Sequence, residues 1–67
     1  MISIIINGTQ KHMTQRCNID DLLGELHVDR KEVAVERNCN VVQKNDFDTT
    51  YLQDGDHIEI VRFVGGG

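Results

Sequence analysis

With 67 residues, 39% of them apolar and 27% charged, the chain has room for one small domain and little for an enclosed active site beside a core. The longest apolar run, Ile4-Ile5-Ile6, is far too short to span a membrane, and a net charge of −4 without a basic cluster argues against nucleic acid as the main partner. These limits favour a carrier, modifier or binding module, one suited to docking on a basic surface.

The N-terminal stretch "MISIIINGTQ" lacks a basic flank ahead of a long apolar segment, so no signal peptide is predicted. Instead it reads as a strand in which Ile2, Ile4 and Ile6 share one face and Ser3, Ile5 and Asn7 the other. Asn7-Gly8 predicts a two-residue hairpin, because both residues tolerate the positive φ of a type I′ turn. Thr9 to Thr14 then return antiparallel. In "CNIDDLLGELHV", Ile19, Leu22, Leu23 and Leu26 fall at i, i+3, i+4 and i+7, one face of a helix. Asn18 is the expected N-cap, and Asp20 and Asp21 suit the positive end of the helix dipole. Gly24, costing about 1 kcal/mol relative to Ala, lies off the apolar face.

Val33 and Val35 alternate with Ala34 and Glu36 and predict a third strand. Asn38 to Asn40 form a turn, and Val41-Val42 a short strand. The segment "KNDFDTTYL" has no clean period and is expected to be irregular, or a single helical turn, burying Phe47 and Leu52. A turn at Asp54-Gly55-Asp56 leads into a last strand with Ile58 and Ile60 inward. One helix must therefore cover one face of a mixed sheet to bury its leucines. The alternation leaves Ile5, Val61 and Phe63 on the opposite face, where they are expected to form a docking surface near the exit of the tail.

No serine has a His and Asp in a recognisable arrangement, and Gly8, Gly24 and Gly55 build no phosphate loop. Cys17, Cys39, His12, His27 and His57 match no zinc spacing, and no metal is expected. Without a secretory signal the two cysteines read as free, partly buried thiols rather than a disulfide. The acidic group Asp46, Asp48, Asp54 and Asp56 lacks the spacing and terminal Glu of a calcium loop.

The remaining feature is the end, "FVGGG", which holds half of the six glycines. Three residues without Cβ can lie extended in a channel that other side chains would block. A carboxylate at Gly67 is a poor electrophile and reacts only when activated, for instance as a mixed anhydride with AMP. Nothing in the chain can bind ATP, so a partner enzyme is implied.

Taken together, the Asn-Gly hairpin, the single helix with "LLGEL" at 22–26, "AVERN" at 34–38 and "DGDHIEIVRFVGGG" at 54–67 resemble the ubiquitin-like β-grasp proteins. Within them the chain is most similar to the ThiS family of thiamine-biosynthesis sulfur carriers, over essentially its whole length. The resemblance implies an α+β fold: a mixed sheet of four to five strands covered on one face by one helix, with residues 1–64 as the domain and 65–67 as a flexible tail. It implies a protein co-substrate, not an enzyme, with no bound cofactor. A ThiF-type adenylyltransferase would use ATP to adenylate Gly67. A sulfur donor such as a cysteine desulfurase system would then give the thiocarboxylate, and thiazole synthase (ThiG) would take the sulfur, with Gly65 and Gly66 threading both partner sites. A cytoplasmic location, or the plastid stroma for a plastid-encoded chain, is implied, with no membrane and no nucleic acid involved. The small subunit of molybdopterin synthase is an alternative, although it is usually longer with a Pro-rich approach to its glycines. A ubiquitin-like modifier forming isopeptide bonds, and an interaction domain with an incidental tail, are others. Three positions depart from expectation: Cys39 stands where the family often has Gly, Gly24 replaces a better helix former, and Arg37, on the face of Val33 and Val35, is expected at a sheet edge.

Overall fold

A computed structural model of the chain describes residues 1–63. Its elements are β1 (Ile2–Ile6), β2 (Thr9–Met13), α1 (Ile19–Glu25), β3 (Val33–Arg37), β4 (Asn40–Val42) and β5 (His57–Arg62), with 3₁₀ turns at Arg30–Glu32 and Lys44–Asp46. The five strands form one sheet in the order β2-β1-β5-β3-β4. Two antiparallel hairpins flank β5, which runs parallel to β1 and antiparallel to β3. This is the mixed β-grasp sheet with one covering helix.

Each hairpin is closed by two residues of positive φ. Asn7 and Gly8 have φ of 48° and 84°, and Asn38 and Cys39 have φ of 51° and 73°. Such turns match the right-handed twist of the strands they join. Asparagine tolerates this region better than most residues; cysteine gains no such relief.

The side chains of both turn asparagines reach across to β5. Asn7 Oδ1 accepts from the Ile60 N–H at 2.8 Å, and its Nδ2 donates to the Ile60 carbonyl at 3.1 Å. Beyond Ile6, this amide therefore does what the main chain of a further β1 residue would do. On the other flank, Asn38 Oδ1 accepts from the His57 N–H at 2.9 Å, and Asn38 N–H donates to the His57 carbonyl at 2.8 Å. The central strand is thus clamped at two points by residues whose local task is to turn the chain.

Asn18 caps α1 through a reciprocal capping box. Its Oδ1 accepts from Asp21 N–H at 2.7 Å, and Asp21 Oδ2 accepts from Asn18 N–H at 3.2 Å. Asp21 is therefore a hydrogen-bonding partner as well as a favourable charge. The helix stops where His27 adopts φ 58°, with His27 N–H bonded to the Gly24 carbonyl and Val28 N–H to that of Leu23. This is a Schellman closure with histidine at the position usually held by glycine. Replacing Asn18 by Ala is expected to lower stability by about 1 kcal/mol, the usual cost of a lost N-cap, read as a lower urea midpoint at constant slope.

Ile19, Leu22 and Leu23 of α1 pack on Ile4, Val33, Val35 and Ile58 of the sheet, and Phe47 and Leu52 close the core from the segment between β4 and β5. The irregular segment thus buries the two residues expected of it. Arg37 corrects an expectation. It does not lie at an edge, because β3 sits between β5 and β4. Its half-buried guanidinium is accommodated because Nε lies 2.9 Å from Oδ2 of Asp56, a carboxylate only 5% exposed. Among the described residues, no helix is long and apolar enough to cross a membrane.

Candidate functional site

The register of the sheet sorts the outer face, the one turned away from α1. Val33, Val35 and Ile58 are buried, so the residues alternating with them point outward. On β5 these are His57, Glu59 and Val61; on β3, Ala34 and Glu36; on β4, Val41; on β1, Ser3 and Ile5.

Val61 is 53% exposed and lies opposite Ala34. Phe63 is 57% exposed and follows the end of β5, held there by its N–H to the Glu32 carbonyl at 2.8 Å. The Lys44 ammonium stands 5.1 Å from the centroid of its ring, a cation–π distance. Ile5 is half-buried between Gln10 and His57. His57 precedes Val61 by four residues of β5, about 13 Å along a strand. The structure therefore brings Val61 and Phe63 to the end of the strand that leads into the tail, and sets Ile5 apart from them. Val41, 62% exposed on the same face, was missed in the sequence reading, although the Val41-Val42 pair requires one member to point outward.

The tail residues Gly65, Gly66 and Gly67, and the domain boundary at Val64, lie outside the described residues.

The two thiols differ. Cys17 is half-buried, and burial pushes its thiol up, with the Asp21 and Glu25 carboxylates adding to the effect and Lys11 opposing it. A thiol kept protonated is a weak nucleophile. Cys39 is exposed at the tip of the β3–β4 turn, not partly buried as the sequence suggested, because a two-residue turn projects its side chains away from the sheet. Among the described residues, no three His, Cys, Asp or Glu side chains come together as a metal site.

Asp56 is the buried polar centre of the fold and was read from sequence only as a turn residue. Its carboxylate accepts from Arg37 Nε, from Asn38 Nδ2 at 3.1 Å and from the Gln53 N–H at 2.8 Å. It fixes the start of β5 to the turn after β3.

Comparison with known proteins gives a consistent result. The family model described as "ThiS family" matches residues 4–67. The chain is 47% identical over 49 residues to the sulfur carrier protein ThiS of Bacillus subtilis, covering 73% of this chain and 74% of that protein. It is 42% identical over 66 residues to a thiazole synthase of Paramagnetospirillum magneticum, covering 98% of this chain but 20% of the relative, so the chain spans about a fifth of that protein's length. The crystal structure of a thiamine biosynthesis protein (ThiS) from Geobacter metallireducens superposes with a TM-score of 0.83 at 33% identity, over 98% of this chain and 100% of that one.

Proposed function

This chain belongs to the ThiS family, and on that premise we propose that it is a sulfur carrier of thiamine biosynthesis whose working group is the carboxylate of Gly67. The observation that carries the reading is the family match itself, which spans residues 4–67, from within the first strand through Gly67. The fold supports it, because the clamped central strand β5 leads directly toward the glycines.

The chemistry follows from the inertness of a carboxylate. A ThiF-type adenylyltransferase supplies ATP, and a Gly67 oxygen attacks the α-phosphorus with loss of pyrophosphate. The resulting acyl-adenylate has AMP as its leaving group. The persulfide of a donor such as a cysteine desulfurase system displaces that AMP to form an acyl disulfide. A thiol reductant then cleaves its S–S bond, releasing the thiocarboxylate and leaving the thiol oxidised to a disulfide; inorganic sulfide displaces AMP to give the thiocarboxylate directly. Thiazole synthase then takes the sulfur. That a thiazole synthase contains a segment similar to this chain supports such a partner. In this scheme the chain is a co-substrate and holds no cofactor of its own. Gly65 and Gly66 thread the partner sites because they present no Cβ, and Val61, Phe63 and Ile5 contribute to docking.

Mass spectrometry tests the reading. After incubation with a ThiF-type adenylyltransferase, ATP and sulfide, the C-terminal residue is expected to have exchanged one oxygen for sulfur. A Gly67 joined to a lysine, with no thiocarboxylate formed, would count against the carrier and for a protein modifier.

A further inference from the structure

The outer face contains a feature that the fold itself does not explain. Glu36 of β3 lies directly opposite Glu59 of β5, on the face away from the helix. Like charges directly opposite in an antiparallel ladder are destabilising. Neither carboxylate has a salt-bridge partner among the described residues; the ion pairs found there are Lys11–Glu25, Arg30–Asp20 and Arg37–Asp56. The neighbours of the pair on this face are apolar on two sides, with the exposed His57, two residues before Glu59 on β5, on a third. Val41 lies across from Glu36 on β4, and the Val61–Ala34 pair is the next outward-facing row along β3 and β5. Two of these side chains, Val41 and Val61, are more than half exposed.

We propose that this face docks on a basic protein surface, with one arginine or lysine of the partner seated between Glu36 and Glu59 and apolar side chains covering Val41 and Val61. The inference rests on the carrier reading and adds to it the chemistry of the partner surface. Charge decides the occupant. A second copy of this chain would bring the same two carboxylates face to face with the first, in a molecule already at −4. A cation delivered from a partner removes the repulsion, and as the interface closes the pair gains strength from the exclusion of water. The uncompensated repulsion in the free protein thus becomes a source of specificity in the complex.

The test compares the chain with Glu36→Gln, Glu59→Gln and the double variant, and with Asp48→Asn as a carboxylate removed from an exposed loop elsewhere. The melting temperature of the free double variant is expected to rise, which also shows that it folds. With a ThiF-type adenylyltransferase at low salt, the KM for the double variant is expected to rise roughly tenfold with kcat nearly unchanged, and the gap to narrow as salt is added. Asp48→Asn is expected to behave as the unmodified chain does. If the unmodified chain is adenylated and the double variant has the same KM at low salt, this inference is overturned and the carrier reading survives. An unmodified chain that is never adenylated overturns both.

Discussion

Removal of Gly66 and Gly67 is expected to leave a protein that melts where the intact chain melts and that accepts no sulfur. The two halves of this result have separate causes. The core is built from β1, β2, α1, β3, β5 and the segment holding Phe47 and Leu52, all within the described residues. A glycine has no side chain to add to it, so the loss is expected to change stability by less than about 0.5 kcal/mol. Sulfur transfer depends on reach. An acyl-adenylate forms only if the carboxylate arrives at the α-phosphorus, and a chain shortened by two residues retreats by roughly 7 Å. Effective positioning is lost over far smaller displacements. Thermal denaturation and thiocarboxylate mass spectrometry on one preparation check both halves. A truncated chain that still supports thiazole formation would sink the proposal that Gly67 carries the sulfur, and one that fails to fold would show that the tail has a structural task.

Much of this was legible in the sequence because the signals are local. Asn7-Gly8 specifies its turn through the backbone preferences of two adjacent residues. Ile19, Leu22 and Leu23 declare the buried side of α1 through a spacing of just over one turn, and Asn18 marks its start. The glycine tail is visible as composition alone. What escaped the reading depends on which strands meet. The order of the strands is not contained in the periodicity of any one of them, so Arg37 reads as an edge residue although β3 lies between β5 and β4. The contact from Asn7 to Ile60 spans 53 residues, and nothing near Asn7 announces it. Glu36 and Glu59 each look like an ordinary outward residue until the register sets them opposite one another. His27 at the close of α1 escaped for a different reason. The closure there uses a residue that tolerates positive φ less readily than glycine, so the usual stop signal is absent.

Asp56→Ala is expected to be the most damaging single substitution outside the apolar core. The carboxylate is 5% exposed and satisfies three donors: the Arg37 guanidinium, the Asn38 amide and the Gln53 N–H. Alanine leaves all three without an acceptor. Breaking a buried pair by removing one partner costs about 3–5 kcal/mol. Arg37 retains 28% side-chain exposure and can turn in part toward water, which places the expected loss near the lower end, about 3 kcal/mol. A domain of this length has a total stability of roughly 3–10 kcal/mol, so the loss is a large fraction of the whole. Urea denaturation should show a much lower midpoint with an unchanged slope. Adding Arg37→Met should restore part of the stability, because the unpaired charge is then gone; a double variant as unstable as the sum of the two single ones would argue that the pair is not the cause. The consequence extends to the site. Asp56 anchors the entry to β5, and the same strand presents Glu59 and Val61 and leads on to the glycines. With the anchor gone, the entry to β5 is held by its pairing with β1 and β3 and by the clamps at His57 and Ile60, without the Asp56 tie, so docking on the adenylyltransferase should weaken even under conditions where most molecules remain folded.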